Sequence, residues 1–272
     1  MKSPFARDLF KEQVVLITGG GTGIGLTTAR LFAYSGARII ISGRRLEPLH
    51  AAQAKIEAMG APCLSVTCDI REPDDTQSLI NACIEKYGQL DIPINNAGGQ
   101  YPSAAEHIKF KGWNAVIRNN LTGTWNMTQA ASKCMITRGQ GVIINVIADI
   151  HRGFPGMAHT GAARAGVENL TKTLSIEWAR HNIRVNAVAP GIINTPVIAK
   201  YGAQMVEARR EEIPAKRLGT ALEVASSICF LASPAARYIT GETLYVDGGA
   251  HLWGRHWVIP EPTHTPLTYD EE

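Results

Sequence analysis

The stretch "TGGGTGIG", Thr18 to Gly25, joins a short β-branched run, "VVLIT", to a segment that reads as a helix. Glycines let a backbone turn tightly and bring its amide N–H groups close to a phosphate, and a helix that begins there adds the partial positive charge of its N-terminus. A glycine turn alone is also an ordinary strand-to-helix connection. Here the strand before it and the helix after it supply the required context, so Gly19, Thr22, Gly23, Ile24 and Gly25 are expected to cradle a pyrophosphate. A second signal lies at the end of the next β-branched run, which closes on "SGRR" with Arg44 and Arg45 and no acid. A guanidinium grips a phosphate through parallel N–H donors, whereas two cations at a helix start are otherwise disfavoured.

These residues need a frame, and the hydrophobic pattern provides one. "VVLIT", "RIIIS", "CLSVTCDI", "LDIPINNAGG", "GVIINVI", "IRVNAVAP" and "ETLYVDGG" read as strands, apolar without alternation, as in a parallel sheet covered on both faces. Helical segments lie between them. Three end at Gly36, Gly60 and Gly88, and the third starts with Pro73 and acids. The alternation predicts an α/β fold, a Rossmann-type doubly wound parallel sheet in a single domain over residues 1–272. Pro93 is awkward inside a strand, since it cannot donate to the ladder, and marks either the strand's first residues or an irregularity. "GWNAVIRNNLTGTWNMTQAASKCMITRG" reads as one long helix. Residues 192–218 are expected to form a mobile, partly helical lid over the substrate, and 251–272 a tail that packs across a neighbour or lies loose.

Composition narrows the partners. Lys and Arg number 27 against 24 Asp and Glu, a net charge of +3 without a basic block, which argues against nucleic acid. No apolar run reaches spanning length, so no membrane is expected either. Five cysteines, at no metal-ligand spacing, read as buried thiols in a reducing compartment, and no metal site is expected. The N-terminal residues lack the apolar stretch of a signal peptide, and "TYDEE" is not a peroxisomal address. The expected setting is cytoplasmic.

The spacing TGxxxGxG resembles the short-chain dehydrogenase/reductase family, and its further landmarks follow in order. "NNAG" (with Asn96, Ala97 and Gly98) ends strand four, "NNLTG" carries Asn120, and "PGIINT" (with Pro190, Gly191, Ile193 and Thr195) follows strand six. Asp69 and Ile70 end strand three, where the family contacts adenine. The likeness covers residues 12–250. It implies a nicotinamide cofactor, and Arg44 and Arg45, standing where NAD-binding members place an acid for the ribose 2′-hydroxyl, imply NADP(H). It also implies a homotetramer, with the helix after strand five in a subunit contact. The small residues "TGAARAG" suit close helix approach, although packing within the chain explains them equally well.

The family's site is Asn, Ser, Tyr and Lys. Asn120 matches the first. Ala148 stands for the serine, and anchoring on "AGVENLTK" puts Thr160 at the tyrosine position and Arg164 at the lysine position, one turn apart. Glu168 and Lys172 do not rescue the pattern and read as a surface ion pair. Reducing a ketone leaves an alkoxide that wants a proton, and neither threonine nor arginine supplies one readily. Reducing a double bond conjugated to a thioester differs: charge spreads to the thioester oxygen, where hydrogen bonds can hold it. The sequence around the site is also similar to peroxisomal-type trans-2-enoyl-CoA reductases and, more distantly, to 2,4-dienoyl-CoA reductases. The expected activity is therefore NADPH-dependent reduction of a 2-enoyl thioester, an acyl-CoA by preference. Asn120, Thr160 and Arg164 hold the site, and Arg164 also orients the nicotinamide ribose. Asp149, His151 and His159 remain candidate proton sources and Tyr101 a candidate for the substrate mouth, each of which is more often simply a solvated or packed side chain. Two rivals stand: an alcohol or aldehyde dehydrogenase for a branched or terpenoid chain, and a non-catalytic NADP(H)-binding protein.

Overall fold

Every residue of Val14–Thr18 is buried, as befits a strand inside a sheet with both faces covered. The computed structural model describes residues 3–196, 198, 203–252, 260–261 and 263–264. In order they form β1 (Val14–Thr18), α1 (Gly23–Tyr34), β2 (Arg38–Gly43), α2 (Leu46–Glu57), β3 (Cys63–Thr67), α3 (Pro73–Tyr87), β4 (Ile92–Asn95), α4 (Phe110–Ile117), α5 (Gly123–Arg138) and β5 (Gly141–Val146). There follow α6 (Ala158–Glu177), β6 (Ile183–Pro190), β7 (Ile193–Asn194), α7 (Ala203–Glu212), β8 (Gly219–Thr220), α8 (Ala221–Ala232) and β9 (Thr243–Val246). The main sheet runs β3-β2-β1-β4-β5-β6-β9, all parallel. Strand order reverses between β1 and β4, which opens a crevice at their carboxyl ends.

Successive residues of β1 serve opposite layers. Val15 and Ile17 join Phe32 of α1 and Ile228 of α8 in one core. Val14 and Leu16 join Leu79 of α3 and Met127 of α5 in the other. This double use explains why the strands are apolar throughout. Helix ends follow the expected punctuation, with Pro73 opening α3 and Gly88 closing it at φ 75°. Pro93 is the second residue of β4, opposite Leu16, so the proline does sit at the strand's start. Four cysteines are buried and Cys134 is half-buried, and burial pushes the thiols of Cys63, Cys68 and Cys83 up to about 12.

One expectation fails. The long helix predicted across residues 112–139 is interrupted by a π turn at Arg118–Thr122, which separates α4 from α5. Within 192–218 lie β7 and α7, while 197 and 199–202 fall outside the described residues, as does most of the tail. Among the described residues no helix is long and apolar enough to cross a membrane, and no cluster of three metal-ligating side chains occurs.

Helix α8 opens with a reciprocal cap. The Thr220 hydroxyl accepts from the Glu223 N–H at 3.2 Å, and Glu223 Oε2 accepts from the Thr220 N–H at 2.8 Å. Thr220→Ala removes one of these bonds, at about 1 kcal/mol. It should lower the melting temperature by roughly 2–4 °C in a chain of this length, as followed by circular dichroism.

Candidate active site

The turn after β1 is built so tightly that only glycine fits. Gly19 has φ +66°, and a Cβ there would come 2.9 Å from Asn96 Nδ2. A Cβ on Gly25 would overlap the carbonyl oxygen of Gly19, so the first turn of α1 rests directly on the loop that precedes it. Thr22 precedes the helix, exposed, and its hydroxyl caps nothing. Gly19, Thr22, Arg44, Arg45, Asp69, Ile70, Ala97 and Gly98 line one cleft. Arg71 donates to both oxygens of Asp69, and that bond, with help from Arg44, holds the Asp69 carboxyl below its usual range. Arg44 and Arg45 are exposed at this cleft and form no ion pair among the described residues. Backbone without side chains below and two free guanidinium groups beside it suit a phosphorylated dinucleotide.

The end of β4 is fixed by hydrogen bonds that the sequence did not advertise. Thr18 Oγ1 accepts from the N–H groups of Asn96 and Ala97, each at 3.0 Å, and Asn96 Nδ2 donates to the Thr18 carbonyl at 2.8 Å. One residue earlier, Asn95 Nδ2 donates to Asn145 Oδ1 and Thr128 Oγ1, both at 2.8 Å, and Asn145 Nδ2 donates to Thr171 Oγ1 at 2.9 Å. Thr18, Asn95, Thr128 and Thr171 were missed as site-shaping residues. For Thr18 and Asn95 the one signal was polarity in otherwise apolar strands, whereas Thr128 and Thr171 are among several buried polar residues of α5 and α6. Across the crevice, the Gly191 N–H donates to the Val246 carbonyl at 3.0 Å, and a Cβ on Gly191 would come 2.7 Å from that of Asp247. Pro190 ends β6 and accepts from the Asp149 N–H at 3.1 Å. Ile193 is buried in β7, and Thr195 comes within 3.9 Å of where Gly23 would carry a Cβ, so the two sides of the crevice meet there.

Asn120 lies fully buried within the π turn, a deformation frequent at functional sites. Its Nδ2 donates to the Gly99 and Val116 carbonyls at 2.7 and 2.9 Å, and its Oδ1 accepts from the Gly99 N–H at 3.2 Å. It therefore braces the loop beyond β4. Arg164 runs beneath that loop: a Cβ on the exposed Gly98 would overlap its Nη2. Only 8% of Arg164 is exposed. Its Nη1 donates to the Val146 carbonyl at 3.0 Å, its Nε has no partner, and no carboxylate pairs with it among the described residues. Desolvation lowers its pKa to about 10, which leaves it charged at neutral pH. Thr160 is fully buried, with Oγ1 3.4 Å from Nδ1 of His159.

The other candidates divide. His159 is fully buried next to Thr160, and Tyr101 lies edge-on to its ring. His151 is exposed and packs instead near Tyr245 and His251, while Asp149 accepts from the His151 N–H at 3.3 Å. Glu168 and Lys172 pair at 2.7 Å on the outside of α6. Gly161 and Gly166 are accounted for within the chain, since a Cβ on either would come 3.0 Å from Phe154 or Leu121. The crevice thus offers buried donors and a buried cation that pairs with no carboxylate among the described residues.

A family model described as Enoyl-(Acyl carrier protein) reductase matches residues 19–251. The chain is 35% identical to the mouse peroxisomal 2,4-dienoyl-CoA reductase [(3E)-enoyl-CoA-producing] over 253 residues, 91% of this chain and 87% of that one. It is 38% identical to a 3-oxoacyl-[acyl-carrier-protein] reductase of Thermotoga maritima over 239 residues, 87% of this chain and 97% of that one. Among solved structures, a citronellol catabolism dehydrogenase of Pseudomonas aeruginosa superimposes with a TM-score of 0.84 at 38% identity, covering 92% of this chain and all of the other. The chain belongs to the short-chain dehydrogenase/reductase family, whose members are oxidoreductases that bind a nicotinamide cofactor. Gly25→Ala should weaken dinucleotide binding at least ~10-fold by forcing α1 off its turn. Titration of intrinsic fluorescence measures this, with circular dichroism unchanged.

Proposed function

We propose that the protein reduces the C2–C3 double bond of a 2-enoyl thioester, by preference an acyl-CoA, using NADPH. The observation that carries this proposal is the buried guanidinium of Arg164, held under Gly98 and paired with no carboxylate among the described residues. A buried cation with spare donors is suited to an anion that exists only during the reaction. When bound, a reduced nicotinamide supplies a hydride to the β carbon. The π electrons then move onto the thioester oxygen, and a proton from water completes the α carbon. Arg164 and the Thr160 hydroxyl stabilise that oxygen, and Arg164 is also placed to orient the nicotinamide ribose. Asn120 keeps Gly99, and with it the roof of the site, in place. Nothing here is asked to deliver a proton on demand, which is the duty Thr160 and Arg164 perform badly.

The pyrophosphate falls to Gly19, Thr22, Gly23, Ile24 and Gly25, adenine to Asp69 and Ile70, and the nicotinamide side to Asn96, Ala97, Gly98, Pro190, Gly191, Ile193 and Thr195. Arg44 and Arg45, exposed and unpaired at the cleft, support NADPH over NADH, because a 2′-phosphate would be their counter-ion. The homotetramer belongs to the same proposal. It is supported by an outward face of α6 that exposes Ala162, Ala165 and Ile176, the last at 76%.

A second reading has one observation in its favour, the likeness to a citronellol catabolism dehydrogenase. A dehydrogenase of branched or terpenoid alcohols would need a base, a duty to which Thr160 and Arg164 are unsuited. Loss of nicotinamide absorbance with a medium-chain trans-2-enoyl-CoA, and none with the matching aldehyde, is the expected result. Loss with the aldehyde alone would select the second reading, and binding without either would leave a non-catalytic NADP(H) protein. Arg164→Met should lower turnover of the enoyl thioester by about 100-fold, the usual effect of deleting a donor to a developing oxyanion. Replacing Arg44 and Arg45 by alanine should weaken NADPH binding about 10-fold or more and leave NADH binding unchanged.

A further inference from the structure

His159 is the second residue of α6, and none of its surface reaches solvent. Its Nδ1 accepts the backbone N–H of Thr160 at 2.9 Å, a donor it shares with the Met157 carbonyl at 2.9 Å. An imidazole nitrogen that accepts carries no proton, so the neutral ring holds its proton on Nε2. That Nε2–H is buried and has no hydrogen-bond partner among the described residues. Folded proteins seldom leave a buried donor unpaired, and one that persists calls for an acceptor to complete it. A histidine kept for packing alone would be better served by leucine or phenylalanine, which bring no orphaned N–H.

The surroundings indicate which acceptor. The same turn carries Thr160, and Arg164 follows one turn later under Gly98. Tyr101, just beyond the Gly98–Gly99 loop, meets the imidazole edge-on with ring centroids 4.7 Å apart. Its hydroxyl is seated against α4 at Gly112, where a Cβ would overlap it. Tyr101 is 39% exposed and His159 not at all, so the tyrosine is the solvent-side cover of the histidine. The histidine is thus a dry donor on the helix that also carries the buried Arg164.

We infer that His159 is a hydrogen-bond donor to the substrate's carbonyl oxygen. Its Nε2–H holds that oxygen as negative charge gathers on it, and the ring keeps its proton throughout. Tyr101 shields the donor from water until substrate takes the place of that cover. Neutral imidazole is well matched to this task, because it stabilises an oxyanion by hydrogen bonding without surrendering a proton. The inference rests on the proposed reduction of an enoyl thioester, yet an aldehyde oxygen would be held in the same way, which separates the two in experiment.

The test compares wild type, His159→Phe and His159→Gln. Phenylalanine preserves the ring against Tyr101 and removes the donor, whereas the glutamine amide restores an N–H. Each is assayed for turnover with 2-enoyl-CoA and with the aldehyde, for KM, and for NADPH affinity by fluorescence. His159→Phe should lower kcat by roughly 100-fold, with KM and NADPH affinity within about twofold, and His159→Gln should recover about tenfold of the loss. Nitrogen-15 NMR of the wild type with NADP bound should show the Nε2–H tautomer, a readout that does not depend on either variant folding. Turnover by His159→Phe within about threefold of wild type would overturn the inference. So would an Nδ1–H tautomer, or a wild type that reduces neither substrate. A wild type that reduces the aldehyde and not the enoyl-CoA would remove the proposed substrate while leaving the comparison at His159 intact.

Discussion

The hydrogen bond from Asn95 to Asn145, buried between adjacent strands, is the contact on which the crevice depends. An amide taken from water must find partners inside the protein or cost about 1–3 kcal/mol. Asn95 and Asn145 find each other, and the surplus donors go to Thr128 on α5 and Thr171 on α6. Four elements are thereby locked at one level, just below the carboxyl ends of β4 and β5. Thr18 does the same one strand over, tying the end of β1 to Asn96 and Ala97. The glycine turn, the Gly98–Gly99 loop, and the first turns of α6 all hang from these two fastenings. Hydrophobic packing holds the sheet together, but it is the buried amides and hydroxyls that set where its upper edge lies.

That fixed edge explains how the site can hold a cation without an anion. Arg164 enters between β5 and the Gly98–Gly99 loop, gives one hydrogen bond to the Val146 carbonyl, and keeps Nε unpaired. Left mobile, such a side chain would swing out to water; here Gly98 admits its head, and Asn120 holds the neighbouring Gly99 from both its N–H and its carbonyl. Such a fixed cation suits negative charge better than proton transfer. A family member that reduces isolated carbonyls needs a titrating hydroxyl at the place Thr160 occupies, whereas a conjugated thioester requires only that its oxygen be held. Under the proposed function, the residues at 160 and 164 go with a change of chemistry.

Much of this architecture was legible in the sequence because it is set locally. Strand alternation with helices, the stops at Gly36, Gly60 and Gly88, and the glycine turn all follow from neighbouring residues, and the resemblance to the family ordered them into a crevice. Pro93 left two readings, the strand's first residues or an irregularity, and the sheet register favours the first. What escaped depends on distant contacts. The π turn around Asn120 is a deformation within a helical pattern that looks continuous, from Gly112 to Gly139. The pairing of Asn95 with Asn145 spans 50 residues, and nothing in either strand announces it. The small residues of α6 allowed packing within or between chains, and only the positions of Phe154 and Leu121 decide for Gly161 and Gly166. His159 stood in the sequence as one of several polar neighbours, distinguished by nothing until its buried, unpaired nitrogen set it apart.

The central claim is that this crevice works by holding charge and not by handing over a proton. The most direct test is the single-turnover rate of hydride transfer to a 2-enoyl thioester, measured across about pH 6–9 and in heavy water. A rate that stays flat with pH and nearly equal in the two solvents is what the account predicts. A rate that follows one ionisation, with a marked slowing in heavy water, would mean that a general acid operates in the step and would contradict it.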